Sequence, residues 1–161
     1  MESWEHRPVE IANLLNPAFC GELLYYSISS YRATSQKNFP FSLSFLVLPI
    51  VLHSSTRNSM PPQKGLHVWL QEKPEIKIEF AKRVKNMTPI TQEAIIFLMQ
   101  NHYLNVDNYG DLYLTRSLAS RKIPQENQEI KECIKKSVYL GKKLASAGSD
   151  SVIFAMWGIK P

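Results

Sequence analysis

Four histidines, two cysteines and a short run of glutamates are the side chains in this 161-residue chain best suited to chemistry. The histidines are His6, His53, His67 and His102. No two of them have the i, i+4 spacing that sets a pair of imidazoles on one helix face for zinc, and no CxxC offers thiolates. A metal would have to be held by histidines from distant parts of the chain, whereas single helical histidines are more often structural or solvent-exposed. Glu72, Glu75 and Glu79 in "QEKPEIKIE" could move protons, but they alternate with lysines, the pattern of a solvated helix face. The six glycines do not cluster ahead of a helix, so a standard phosphate-binding loop is missing. The nucleophile elbow GxSxG is missing too. These residues ask for no enzyme, cofactor, metal or small-molecule substrate, and a binding protein is expected.

Composition sets the frame. Hydrophobic residues make up 44% of the chain and charged residues 20%, ordinary for a folded protein, and the length suits a single domain over 1–161. The net charge of +5, from 19 basic and 14 acidic side chains, permits contact with nucleic acid or an acidic partner without demanding either. Cys20 and Cys133 each fall on the apolar stripe of an expected helix, which favours buried thiols over a disulfide. "MESWEHRPVE" has no apolar core of a signal peptide. "FLVLPIVL" is far shorter than the roughly 20 residues a membrane span requires. A cytoplasmic protein with no membrane contact is expected.

The elements follow from periodicity and punctuation. Asn16 and Pro17 predict the cap and first position of a helix whose stripe is Cys20, Leu23, Leu24, Ile28 and Tyr31. Residues 43–52 are apolar apart from Ser44, and strand and helix remain open there, with a helix containing Pro49 favoured. "LHVWLQEKP" predicts a short helix, and "EIKIEFAKRVKNM" a longer one with Ile76, Phe80, Val84 and Met87 on one face. Thr88 and Pro89 then predict the start of a further helix packing through Ala94, Ile95, Phe97 and Leu98. "YLNVD" and "DLYLT" alternate as strands around "NYG", where Gly110 takes the left-handed turn position. "ENQEIKECIKKSVYLGKKLASA" predicts a long helix facing inward through Ile130, Cys133, Ile134, Val138 and Leu144. Gly148, with Ser149 or Asp150 as cap, leads to a last short helix. The fold expected is mostly α with a small β-hairpin, a winged helix-turn-helix-like α+β single domain. Its winged-helix core would lie at about 66–116 and its C-terminal helical part at 125–158.

Two binding modes compete. A winged helix reads DNA when the helix before the wing carries basic or amide side chains, yet no Arg or Lys occurs between Thr88 and Arg116 and the wing holds two aspartates. Such a wing repels phosphate. The positive charge lies further on: Arg116, Arg121, Lys122, Lys131, Lys135, Lys136, Lys142 and Lys143, against only Glu126, Glu129 and Glu132. That stripe could follow a phosphate backbone, face an acidic partner, or simply be solvated. For protein contact, the aromatic candidates are Tyr25, Tyr26, Trp69 and Trp157, with Trp4 near the start, although any one of them could equally fill a core. The 43–52 run also offers more apolar surface than a small domain readily covers, which suggests a lasting partner.

"RPVEIANLLNPAFCGELL", "FLVLPIVLH", "LHVWLQEKPE", "TPITQEAIIFLMQN" and the closing "GIKP" together resemble the middle component of three-component ABC systems, bacterial defence operons that include the Lamassu type. The resemblance runs from Arg7 to the end and rests on the order of these stretches more than on one signature. It implies a non-enzymatic adaptor beside an SMC- or Rad50-like ABC ATPase and an effector, often a nuclease, acting against phage or plasmid DNA. Small winged-helix subunits of related SMC machines sit as connectors at the ATPase heads. A free-standing winged-helix DNA binder or transcriptional regulator is the alternative.

Overall fold

Asn16 accepts the Phe19 N–H at 2.9 Å and Pro17 takes the first helical position, so α1 (Pro17–Ser35) begins as its sequence dictates. The computed structural model describes residues 15–160. The expected stripe of α1 is buried, from Cys20 and Leu23 to Ile28 and Tyr31. A 3₁₀ turn (Phe41–Leu43) leads into α2 (Ser44–Val51), followed by α3 (Ser54–Ser59) and α4 (Leu66–Glu72). A second 3₁₀ turn (Pro74–Lys77) precedes the long α5 (Phe80–Gln100). The hairpin β1 (Leu104–Val106) and β2 (Leu112–Leu114) comes next, then α6 (Gln128–Ala145) and α7 (Asp150–Met156). The protein is thus mostly α with one small antiparallel hairpin, a single domain around one core. Among the described residues, no helix is long and apolar enough to cross a membrane.

Within residues 43–52, Ser44–Val51 form a helix, which resolves the choice the sequence left open. Every residue of α2 except Phe45 is buried, and an all-round apolar helix is stable only when neighbours wall it in. Here α1, α5 and α6 do so. Most of the apolar surplus expected of this run is therefore consumed inside the chain, with Phe45 and Leu52 left half-buried.

The helix expected to start at Thr88 does not start there. α5 runs unbroken from Phe80 through Pro89 to Gln100, and Thr88 Oγ1 donates back to the Val84 carbonyl at 2.9 Å instead of capping. Proline costs about 3 kcal/mol in a helix interior, but Phe80 upstream and Ala94, Ile95 and Leu98 downstream are buried in the same core. That shared packing outweighs the break. The upstream start also differs: Glu79 adopts φ 56°, a left-handed turn, so Ile76 belongs to the 3₁₀ turn before α5.

The hairpin has the register Leu104–Leu114 and Val106–Leu112, and Gly110 sits at φ 86° as its turn requires. Asp107 ties the turn together, accepting from the Tyr109 and Asp111 N–H groups and from Asn38 Nδ2 at 2.8 Å. The Asn38 hydrogen bond holds this carboxyl below the usual carboxylate range. Phe39 also pairs with Leu112, placing a third strand position on the other edge of β2.

Two serines and a glycine set how closely α1 and α6 approach. Ser27 Oγ donates to the Ser137 carbonyl and Ser30 Oγ to that of Val138, both at 2.8 Å. A Cβ on Gly141 would collide with Ser30 Oγ and the Ser27 carbonyl. Gly141→Ala is expected to lower stability by about 1–3 kcal/mol, because the helices must part to admit the methyl group. Chemical unfolding should show a lower midpoint with an unchanged slope.

Candidate functional site

Two groups of side chains far apart in the sequence meet on the first half of α1, at Glu22, Tyr25 and Tyr26. Tyr25 and Tyr26 are half-buried and pack edge to face at 5.6 Å, and Tyr25 meets Tyr103 at 6.4 Å. The Tyr25 hydroxyl accepts the Leu118 N–H at 3.0 Å, which draws the segment after the hairpin across this cluster. Arg116 lies over the Tyr103 ring, 5.0 Å from its centre. Arg121 grips Glu22 through two bonds, the shorter 2.7 Å, and that partner raises the arginine's pKa. Burial, reinforced by Glu22, pushes the Tyr26 phenol up. The result is an aromatic patch flanked by exposed guanidinium groups, with Lys122 next to it in the chain.

Trp69 and Trp157 do not join this surface. Each is about 1% exposed; their rings meet edge to face at 5.7 Å, and Trp157 stacks on Phe80 at 4.2 Å. Their bulk fills the core between α4, α5 and α7, so they present nothing for a partner to touch. Trp4 and His6 lie outside the described residues.

The basic stripe divides in the same way. Lys135 and Lys142 are exposed and Lys131 half-exposed along α6, where the spacing sets all three on one face. Lys136 and Lys143 point the other way and are buried, their Nζ atoms donating to the carbonyls of Met60 and Lys64. Desolvation lowers the pKa of both ammonium groups. They are therefore corrected from candidate phosphate contacts to internal anchors. Among the described residues, no group of three or more His, Cys, Asp or Glu is placed to hold a metal.

The whole described chain, fold and patch together, is covered by one family. The family model for the ABC-three component (ABC-3C) system Middle Component 3 matches residues 4–161. The chain belongs to this family. No curated protein and no solved structure matches it. Family membership makes this a middle component of a multi-component ABC system, a role that implies protein partners.

In this Middle Component 3 chain, sequence reasoning missed the cations that hold the interior. Arg57 is buried and donates to the Val51 carbonyl at 2.9 Å, to Cys133 Sγ at 3.4 Å and to Glu129 at 3.2 Å. Burial pushes the Cys133 thiol up, the Arg57 charge opposing it. Arg83 donates to the Pro49 carbonyl at 3.1 Å and approaches Thr56 Oγ1. Both guanidinium groups thus close the C-terminal end of α2, where the helix dipole favours positive charge. His53 Nδ1 bonds Thr56 Oγ1 at 2.8 Å. Burial, followed by Arg83 and Arg57, lowers the imidazole pKa. The two buried lysines did leave a trace in the sequence: Lys136 sits three residues after Cys133 and four before Leu140, an inward position, and Lys143 follows one heptad later.

Two outcomes follow. Lys136→Ala leaves the Met60 carbonyl without its donor and should cost about 1–3 kcal/mol, whereas Lys142→Ala should stay within about 0.5 kcal/mol of wild type in the same denaturation assay. For His53, a folded pKa below its ordinary value near 6.5 means that the unfolded chain binds the proton first. Its stabilising effect is complete above that pH and is lost as pH falls through the lowered folded value. Melting temperature should drop on acidification below about pH 6.5, and His53→Gln should flatten that part of the profile.

Proposed function

We propose that this middle component is a non-enzymatic adaptor linking an SMC- or Rad50-like ABC ATPase to an effector, often a nuclease, in a cytoplasmic defence complex of Lamassu type against phage or plasmid DNA. The observation that carries the reading is the aromatic and basic patch around Tyr25 and Tyr26 on α1. Tyrosine and arginine dominate binding hot spots, and here Tyr25, Tyr26, Arg116 and Arg121 converge on one surface of a chain from a middle-component family. The hairpin after α5, with Phe39 bridging to β2, supports a winged-helix reading of the region around 66–116. The wing's aspartates and the uncharged end of α5 favour protein over the major groove.

A second reading is favoured by one feature. Lys135 and Lys142, exposed, with Lys131, half-exposed, form a row on α6 that suits a phosphate backbone, whether held by the ATPase or bound by this chain alone as a DNA-binding regulator.

Tagged protein co-expressed with the products of its neighbouring genes is expected to recover a coiled-coil ATPase and an effector. The double variant Arg116→Glu with Lys122→Glu should lower that recovery about tenfold, equivalent to about 1.4 kcal/mol. Recovery of the chain alone would overturn the adaptor reading. A duplex-DNA shift by the isolated protein, steeply salt-dependent and lost on Lys131→Glu, Lys135→Glu and Lys142→Glu together, would put the DNA binder in its place.

A further inference from the structure

A polar hollow of about 610 Å³ opens where the ends of α1 and α6 and the start of α7 meet the hairpin. That volume suits a small ligand. Asp111, at the close of the hairpin turn, and Asp150, the first residue of α7, both line it and are half-buried. Ser35 and Ala145, the last residues of α1 and α6, line it too. The two helices run parallel, Ser27 bonding Ser137 and Ser30 bonding Val138, so both bring their carbonyl-rich, negative ends here.

Tyr31 is the residue that asks for a ligand. It is only 7% exposed, and its ring packs edge to face on Phe39 at 5.0 Å. It nevertheless lines the hollow, and among the described residues its hydroxyl has no hydrogen-bond partner. Burial, and then the charges of Asp111 and Asp150, push this phenol up, so it stays neutral beside two carboxylates. Burial, and then Asp107 and Asp150, push the Asp111 carboxyl up as well. Negative charge is gathered here without a counter-charge. Lys37, which also lines the hollow, is exposed and forms no ion pair with either carboxylate among the described residues. Both carboxylates can still accept. Asp150 takes the Ser42 hydroxyl at 2.8 Å on one oxygen and the Ser151 N–H at 2.9 Å on the other, which leaves each a lone pair. The Asp111 carboxylate accepts no hydrogen bond among the described residues.

We propose that this hollow binds an organic cation, an ammonium or guanidinium group held between Asp111 and Asp150 with Tyr31 Oη as a further acceptor. Such a group carries several N–H donors on one charge, and a guanidinium meets carboxylates as a fork. A bare divalent ion wants more oxygen ligands than two carboxylates supply, and no larger acidic group is placed for a metal among the described residues. The cation is either a free amine or the side chain of a lysine or arginine offered by another protein. The site lies apart from the patch around Tyr25 and does not depend on the adaptor reading.

Isothermal titration of the full chain with agmatine at physiological salt is expected to show saturable binding at a single site. Asp111→Asn and Asp150→Asn should each weaken it about tenfold. Tyr31→Phe, which keeps the ring on Phe39, should weaken it about threefold. Asp111→Asn breaks no bond of its carboxylate within the described residues, so it should hold its melting temperature and keeps the test open should Asp150→Asn misfold. N-acetyl-arginine methylamide, titrated in parallel, separates the two sources. Tighter binding of agmatine assigns a free diamine, and binding of the capped arginine that is as tight or tighter assigns a side chain. No saturation by either compound at millimolar concentration, binding undiminished in Asp111→Asn, or displacement of agmatine by equimolar magnesium overturns the assignment.

Discussion

Backbone carbonyls withdrawn from water must find donors, and in this protein four of them, at Pro49, Val51, Met60 and Lys64, find theirs in side chains. The stretch from Pro49 to Lys64 holds the end of a proline-containing helix, a short helix with Thr56 and Arg57 buried, and a loop that emerges to the surface after Met60. Regular hydrogen bonding cannot satisfy such a segment, and each carbonyl left bare costs on the order of 1–3 kcal/mol. Four long cationic side chains supply the missing donors: Arg57 to Val51, Arg83 to Pro49, Lys136 to Met60 and Lys143 to Lys64. Burying a cation is itself costly, so the arrangement holds because each charge meets a carbonyl, and in two cases the negative end of a helix. Arg57 and Arg83 thereby close the C-terminal end of α2, whose sides α1, α5 and α6 wall in.

The same requirement sorts the positive charge of the chain. Charges needed inside face the 49–64 segment, while those left over, Lys131, Lys135 and Lys142 on α6 and Arg116, Arg121 and Lys122 before it, remain at the surface. A count of basic residues along α6 mixes the two populations. Their separation leaves a smaller exposed row on α6 than composition suggests and sets Arg116 and Arg121 beside the tyrosines of α1.

Much of the fold was legible in the sequence because local signals and core packing agreed. The Asn16–Pro17 start, the α1 stripe, the hairpin with Gly110 and the length of α6 all came from spacing and turn chemistry. The Thr88–Pro89 start failed because two apolar stripes in register override a proline, which no local window displays. Residue type alone does not distinguish a hot spot from a core, so Trp69 and Trp157 qualify as interface candidates in the sequence although they are buried in the fold. The convergence of Tyr25 with Arg116 needed the loop after β2 to fold back across α1, a contact spanning about ninety positions, from Tyr25 to Leu118. Lys136 could have been recognised as inward from its spacing, but its carbonyl partner could not.

Those anchors have a consequence for how the chain is made. The donors for Met60 and Lys64 lie 76 and 79 residues further along, and Arg57 reaches its sulfur partner across 76. A ribosome that has finished α5 and the hairpin has therefore released a segment whose carbonyls still await α6. Until that penultimate helix leaves the exit tunnel, α2 has no complete wall, and its run of leucine, valine and isoleucine stays open to chaperones or to neighbouring chains. Translation of the last third closes the core, so a message truncated before α6 yields a chain that cannot seal itself.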